Sequence, residues 1–80
     1  MSLDKEKFVK ALSSNKILLN KLTTDPKLVL AEFGLKISDN LANTIKEQAT
    51  MLIKQGTSPV VIAGEVFETL WNGKDKPWQI

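Results

Sequence analysis

The stretch that decides the fold is residues 23–35, which read TTDPKLVLAEFGL. Asp25 precedes a proline, which disfavours the α conformation for Asp25 and suits it to the N-cap of a helix. Pro26 then fits the first helical position, where its missing N–H costs nothing. Gly34 fits the left-handed position that ends many helices. The stretch therefore predicts a short third helix that begins at Pro26 and ends at Gly34.

The residues before this stretch predict helical structure with an open question at its middle. Asp4 is suited to cap a first helix that runs to about Ser13, with Phe8 and Leu12 among its apolar residues. Ser13 is followed by Ser14 and Asn15, either of which can cap a second helix over the leucine-rich residues 17–22. The same residues also fit one bent helix, and the sequence does not decide between the two.

The residues after this stretch predict a longer fourth helix. The polar cluster Ser38–Asn40 offers its cap, and Gly56 ends it after about Gln55. Its apolar residues recur at intervals of three or four, as an amphipathic helix requires. We expect the buried face to consist of Leu41, Ile45, Ala49, Leu52 and Ile53.

A fifth helix is predicted to begin at Ser58-Pro59 and to stop at Asn72-Gly73. Residues 60–62 are all β-branched and also fit a strand, but no second strand candidate pairs with them. We therefore predict an all-α fold, a small bundle of four or five short helices. The domain spans residues 1–73, and residues 74–80 form a short C-terminal tail. The apolar residues of this helix are Val60, Val61, Ile62, Ala63, Val66, Phe67, Leu70 and Trp71.

Composition argues against catalysis. The chain has 80 residues and contains no cysteine, histidine or tyrosine. It therefore lacks thiol nucleophiles, zinc-thiolate sites and the commonest general base. Glu65 and Glu68 share a helix face, but a solvated surface pair is the simpler interpretation. Asp39 and Asn40 are better read as helix caps than as cation ligands. We expect no enzyme activity, no metal site and no cofactor.

Charge and hydropathy argue against nucleic acid and membranes as partners. All 11 basic residues are lysines against 9 acids, a net charge of only +2, and no arginine is present to read guanine or phosphate. Residues 43–50 carry polar side chains suited to a recognition helix, yet Glu47 among them opposes phosphate binding. Residues 1–22 are basic and amphipathic, but Phe8 and Leu12 are read more simply as core. The N-terminus lacks an apolar signal core, so the expected location is the cytoplasm.

Residues 11–39 carry a further pattern. A helix ends in a leucine-rich turn, Asp-Pro follows, and a short helix ends in Phe-Gly-Leu. This segment resembles the leaders of ribosomally made, post-translationally modified peptide precursors, in particular the nitrile-hydratase-type and nitrogen-fixation-type leaders. A similar arrangement occurs in the small helical subunit of extradiol dioxygenases and in some backbone-methylated peptide precursors. The matching residues are Leu18, Leu19, Leu22, Asp25, Pro26, Leu30, Phe33, Gly34, Leu35 and Ile37.

The resemblance implies a non-catalytic precursor of bacterial natural-product biosynthesis. A tailoring enzyme would bind the leader-like segment and act on the C-terminal segment. The partner-binding residues that the resemblance implies are Leu22, Asp25, Pro26, Leu30, Phe33, Gly34 and Leu35.

The C-terminal segment, residues 65–80, differs in composition from the segments that are modified in the commonest precursors. It has no cysteine and only Thr69 as a hydroxyl, and the one cleavage-like pair, Ala63-Gly64, falls inside the predicted fifth helix. Lanthionine and azole chemistry are thereby excluded. The expected targets of modification or docking are Trp71, Lys74, Trp78 and the C-terminal Ile80.

A second hypothesis remains open at this point. The chain also fits a small helical interaction or regulatory subunit of a larger protein complex, or a homo-oligomer. It predicts that both tryptophans are packed. Under either hypothesis, an apolar face left over from the core is expected on the fifth helix, where self-association or docking would bury it.

Overall fold

The computed structural model describes residues 4–72 and the backbone of residues 78 and 79. This part of the chain forms five helices and one two-stranded antiparallel ladder, which confirms the predicted all-α bundle. The elements in chain order are α1 (Lys5–Ser14), α2 (Lys16–Lys21), α3 (Pro26–Glu32), β1 (Leu35–Lys36), α4 (Asp39–Lys54), α5 (Pro59–Asn72) and β2 (Trp78–Gln79).

The helix ends follow from local chemistry. Asn15 separates α1 from α2, because its side-chain oxygen accepts hydrogen bonds from the N–H groups of Ile17 at 3.1 Å and Leu18 at 3.2 Å. The open question of one helix or two is thus answered as two. Ser38 caps α4 by accepting from the N–H of Leu41 at 3.1 Å. Each cap satisfies backbone donors that the first helical turn leaves unpaired.

The end of α4 is closed by a glycine in the left-handed region. Gly56 has φ +75°, and its N–H donates to the carbonyl of Ile53 at 3.0 Å. The N–H of Thr57 donates to the carbonyl of Leu52, also at 3.0 Å. These two bonds form the Schellman arrangement, which reverses the chain toward α5.

The core lies around α5, which contacts α1, α2 and α4. Aromatic rings continue it toward α3, because the ring of Phe8 lies 5.0 Å from that of Phe33 and 5.7 Å from that of Phe67. Among the described residues no polar or charged side chain is buried. The largest fully buried side chains are Phe8, Leu12, Leu22, Leu30, Ile45, Ile62, Leu70, Val29 and Val66.

The structure corrects one expectation about burial and one about secondary structure. Ile53 is 36% exposed and does not join the buried face of α4. On α5, Val60 is 55% exposed and Val61 is 49% exposed. Residues 60–62 are helical, so the strand alternative is wrong. The apolar run at the start of α5 is longer than the face that its neighbours cover.

The ladder was not foreseen from the sequence. β1 pairs with β2 in antiparallel register, with Leu35 opposite Gln79 and Lys36 opposite Trp78. Each strand has only two residues, too few to show the alternation that predicts a strand. The boundary of a separate tail at residue 74 stays a prediction, but the end of that tail pairs with the domain.

Candidate functional site

The candidate site consists of the leader-like segment, residues 11–39, and the C-terminal strand beside it. Asp25 opens α3: its carboxylate accepts a hydrogen bond from the N–H of Leu28 at 3.3 Å. Pro26 follows as the first helical residue and is buried. The Asp-Pro pair therefore serves as a helix start, as predicted, with the acid exposed and the ring inside.

Gly34 ends α3 and turns the chain into β1. Its φ is +77°, a region that residues with a side chain rarely adopt. Its N–H donates to the carbonyl of Ala31 at 2.9 Å, which is one of the two bonds of the Schellman arrangement. The chain then enters β1 with Leu35 buried, and β2 lies alongside. The Phe-Gly-Leu motif therefore sets the position of the strand that holds the C-terminal segment.

The apolar members of the predicted partner-binding set lie inside the domain. Leu22 and Leu30 are fully buried, and Leu35 is 3% exposed. Pro26 is buried as well, and Phe33 is half-buried against the ring of Phe8. In this conformation these side chains hold the segment in shape and do not offer a surface to a partner.

The exposed surface of the segment has polar and apolar members. Asp25 and Gly34 of the predicted set are exposed. Outside that set, Ile17 of α2 is 71% exposed and Leu28 of α3 is 47% exposed. Leu28 was not singled out from the sequence, because its spacing from Leu30 and Val29 gives no sign of which side the core covers. These exposed residues form the surface that the segment offers to a partner in this conformation.

The predicted tail residues have different outcomes. Trp71 packs against the core as predicted, with its ring 5.8 Å from that of Phe67 in an edge-on arrangement. Its indole N–H is shielded from solvent and has no hydrogen-bond partner within residues 4–72. Trp78 is described by its backbone alone, which pairs with β1. Lys74 and Ile80 lie outside the described residues.

An ion pair borders the start of α3. Lys27 at the beginning of α3 contacts the carboxylate of Asp39 at the beginning of α4. The hydrogen bond and the positive charge of Lys27 lower the pKa of Asp39 below its usual value. Asp39 thus carries negative charge at the N-terminus of α4, where the helix dipole favours it.

A second ion pair joins the first helix, α1, to the last helix, α5. Lys5 of α1 contacts Glu68 of α5 at 2.8 Å, and the hydrogen bond and charge of Lys5 lower the pKa of Glu68. Glu65 is exposed, and Glu68 is engaged with Lys5 and Asn72. The two glutamates are therefore surface groups, as expected, and not a buried acid–base pair.

A shallow groove lies between α1 and the beginning of α5, and Ser13 is its one lining residue that belongs to the leader-like segment. We call it the α1–α5 groove; its lining includes Val9, Ser13, Val60 and Gly64, with Glu6 and Lys10 beside them. The sequence indicated leftover apolar surface on the fifth helix, and Val60 confirms that expectation. The contribution of α1 to the groove was not foreseen.

Comparisons with known proteins identify no relative of this chain. A scan of protein-family models and searches of curated proteins and solved structures each found no match to this chain. Across residues 4–72 none of the helices has the length and apolar character needed to cross a bilayer. Within the same residues no group of three or more acidic side chains is arranged to hold a metal ion.

Proposed function

We propose that this protein is a non-catalytic helical scaffold that a tailoring enzyme recognises through the leader-like segment and modifies in its C-terminal segment. The observation that carries the proposal is the pairing of Leu35–Lys36 with Trp78–Gln79. It supports the proposal because the segment to be recognised and the segment to be modified lie side by side. An enzyme docked on the exposed side of α3 would have the C-terminal strand within its reach.

The strand has to leave β1 before an active site can enclose it. A two-residue ladder contains few hydrogen bonds, and each contributes only about 0.5–1.5 kcal/mol net in water. The binding energy of a moderate protein interface exceeds this amount. The pairing is therefore a resting position for the C-terminal segment, compatible with its transfer into an enzyme.

The experiment combines the full chain with candidate tailoring enzymes encoded beside it and measures intact mass. Fragmentation by tandem mass spectrometry then assigns the change within residues 71–80. The full chain is required, because a fragment ending after Ile37 lacks Ile45, Ile62 and Leu70, which complete the core. An unchanged mass with every enzyme contradicts the proposal.

A matched pair of variants tests the docking surface. Leu28→Gln removes an apolar side chain, 47% exposed, from the leader-like segment. Met51→Gln removes one of similar size and exposure, 53%, from α4. We expect Leu28→Gln to reduce enzyme binding about tenfold or more, as for a central interface contact, and Met51→Gln to leave it unchanged. Equal effects of the two variants would place recognition outside the leader-like segment.

A second candidate function is a helical interaction subunit of a larger protein complex. The packing of Trp71 on Phe67 and the pairing of the C-terminal strand favour it, because that hypothesis requires a tail that is held. Limited proteolysis separates the two functions. Rapid cleavage after α5 favours the scaffold, whereas a C-terminal segment that stays protected favours the subunit.

A further inference from the structure

Within residues 4–72 nothing covers the apolar floor of the α1–α5 groove. Val60 is 55% exposed there, beside Val9 of α1 and Gly64 one turn further along α5. A Cβ atom added at Gly64 would meet no atom within 4 Å, so the space above the α5 backbone is open. Small side chains and a bare glycine allow another helix to approach this surface closely.

The charges beside the floor have opposite signs at helical spacing. Four charged residues line the groove, but Asp4 caps α1 and Lys5 is paired with Glu68. This leaves Glu6 and Lys10, which lie four residues apart on α1. If α1 of a second copy approaches in the antiparallel direction, Glu6 of one copy lies opposite Lys10 of the other, and the reverse pair forms as well. The groove is thus complementary to itself, which is the requirement for a twofold interface.

We propose that the α1–α5 groove is a homodimer interface, in which the occupant of each groove is the same surface of a second copy. The twofold axis passes near Val9, so that Val60 and the open side of Gly64 are covered on both copies. Burial of the apolar floor contributes favourable free energy to association, and the Glu6–Lys10 pairs set the antiparallel direction. The inference is independent of the proposed function, since the exposed side of α3 takes no part in this surface.

Charge reversal tests the pairing directly. In Glu6→Lys both rim positions are positive, and in Lys10→Glu both are negative, so each variant repels its own copy. We expect each variant alone to be monomeric at concentrations where the wild type is dimeric. An equimolar mixture restores opposite charges across the axis and should regain the dimer. Sedimentation equilibrium measures all three samples, and a mixture that stays monomeric overturns the proposal.

A second pair of variants tests the apolar floor. Val60→Lys places a charge at the centre of the interface and should weaken association about tenfold or more. Met51→Lys, at a similarly exposed position on α4, should leave association unchanged. Equal effects of the two variants contradict the proposed surface. Gly64→Leu fills the open space without touching the monomer's core and should also weaken association, with the helical circular dichroism retained.

Other results of these measurements would show that no second copy occupies the α1–α5 groove. A wild-type chain that stays monomeric at the highest concentration measured overturns the proposal. If, in addition, Val60→Lys lowers the free energy of unfolding relative to the monomeric wild type, then another part of the same chain covers the groove. A fall in mass modification without any change in association would concern the proposed function alone, so failure of one proposal is distinguishable from failure of the other.

Discussion

The leader-like segment and the α4–α5 hairpin use the same local devices at their helix ends. α3 begins at Pro26 and ends before Gly34, whose φ is +77°. α5 begins at Pro59, and the preceding α4 ends before Gly56, whose φ is +75°. Proline at the start and glycine after the end are general stop and start signals. The local sequence therefore shapes both regions in the same way.

Both regions contain buried and exposed apolar residues. In the leader-like segment the motif residues Leu22 and Leu30 are fully buried, whereas Ile17 and Leu28, which lie outside the motif, are 71% and 47% exposed. In the hairpin Val60 and Val61 are about half exposed, at 55% and 49%. The apolar residues of the motif therefore serve the fold, whereas the exposed apolar residues of both regions, which are accessible to a partner, belong to no motif.

A pair of substitutions within α3 tests most directly whether the motif leucine is buried and the leucine outside the motif is exposed. Leu30→Ala should lower the free energy of unfolding by about 3 kcal/mol, because it leaves a cavity in the core. Leu28→Ala, two residues away and 47% exposed, should cost less than about 1 kcal/mol. Urea denaturation followed by circular dichroism measures both. Similar losses would mean that Leu28 is also covered, and the assignment of an exposed α3 face would fail.

The helix-ending glycines offer the next largest effect. Gly34→Ala and Gly56→Ala should each lower the unfolding free energy by about 1–2 kcal/mol, because alanine resists a positive φ. No atom lies within 4 Å of either added methyl group, so the whole cost is in the backbone. Gly64→Ala, inside α5, should instead raise stability by up to about 1 kcal/mol. The same denaturation experiment applies, and a loss at Gly64 would mean that its surroundings are closed.

The N-cap residues of two helices allow a comparison of their contributions to stability. Asp25 caps α3, and Ser38, at the end of the leader-like segment, caps α4. Replacing either by alanine should reduce thermal stability by an amount equivalent to about 1 kcal/mol. We expect the two losses to be alike, since the two devices are alike. A much larger loss at Asp25 would give that residue a structural role beyond capping.

The smallest expected effect is electrostatic. The folded-state pKa values of Asp39 and Glu68 are lowered, so their ion pairs stabilise the fold above the usual values of 3.8 and 4.5. That contribution is lost as the pH falls through the lowered values. It is small, because the side chains of Lys5 and Glu68 are each 52% exposed.

The melting temperature measured against pH checks this. Glu68→Gln should remove its share of the acid-side decline, whereas Lys7→Gln, an exposed α1 lysine outside the pair, should leave the profile unchanged. An unaltered profile in Glu68→Gln would mean that the Lys5–Glu68 contact contributes nothing in solution.

Most of the helix framework could be predicted from the sequence. Asp4, Asn15, Asp25 and Ser38 cap helices where the sequence indicated, and Gly34 and Gly56 end them. The prediction of partner-binding residues was less informative, because a motif does not state which of its side chains face inward. The roles of these residues toward a partner stay a prediction.

Local sequence set the starts and ends of α3, α4 and α5, because caps, prolines and glycines act on backbone groups within a few residues of themselves. It left open whether α1 and α2 are one bent helix or two. Tertiary structure alone decided which side of each helix is covered. It left Val60 exposed at the start of α5 and brought β2 back to β1. These outcomes depend on contacts between residues far apart in the chain, and a two-residue strand has no periodicity from which its partner can be inferred.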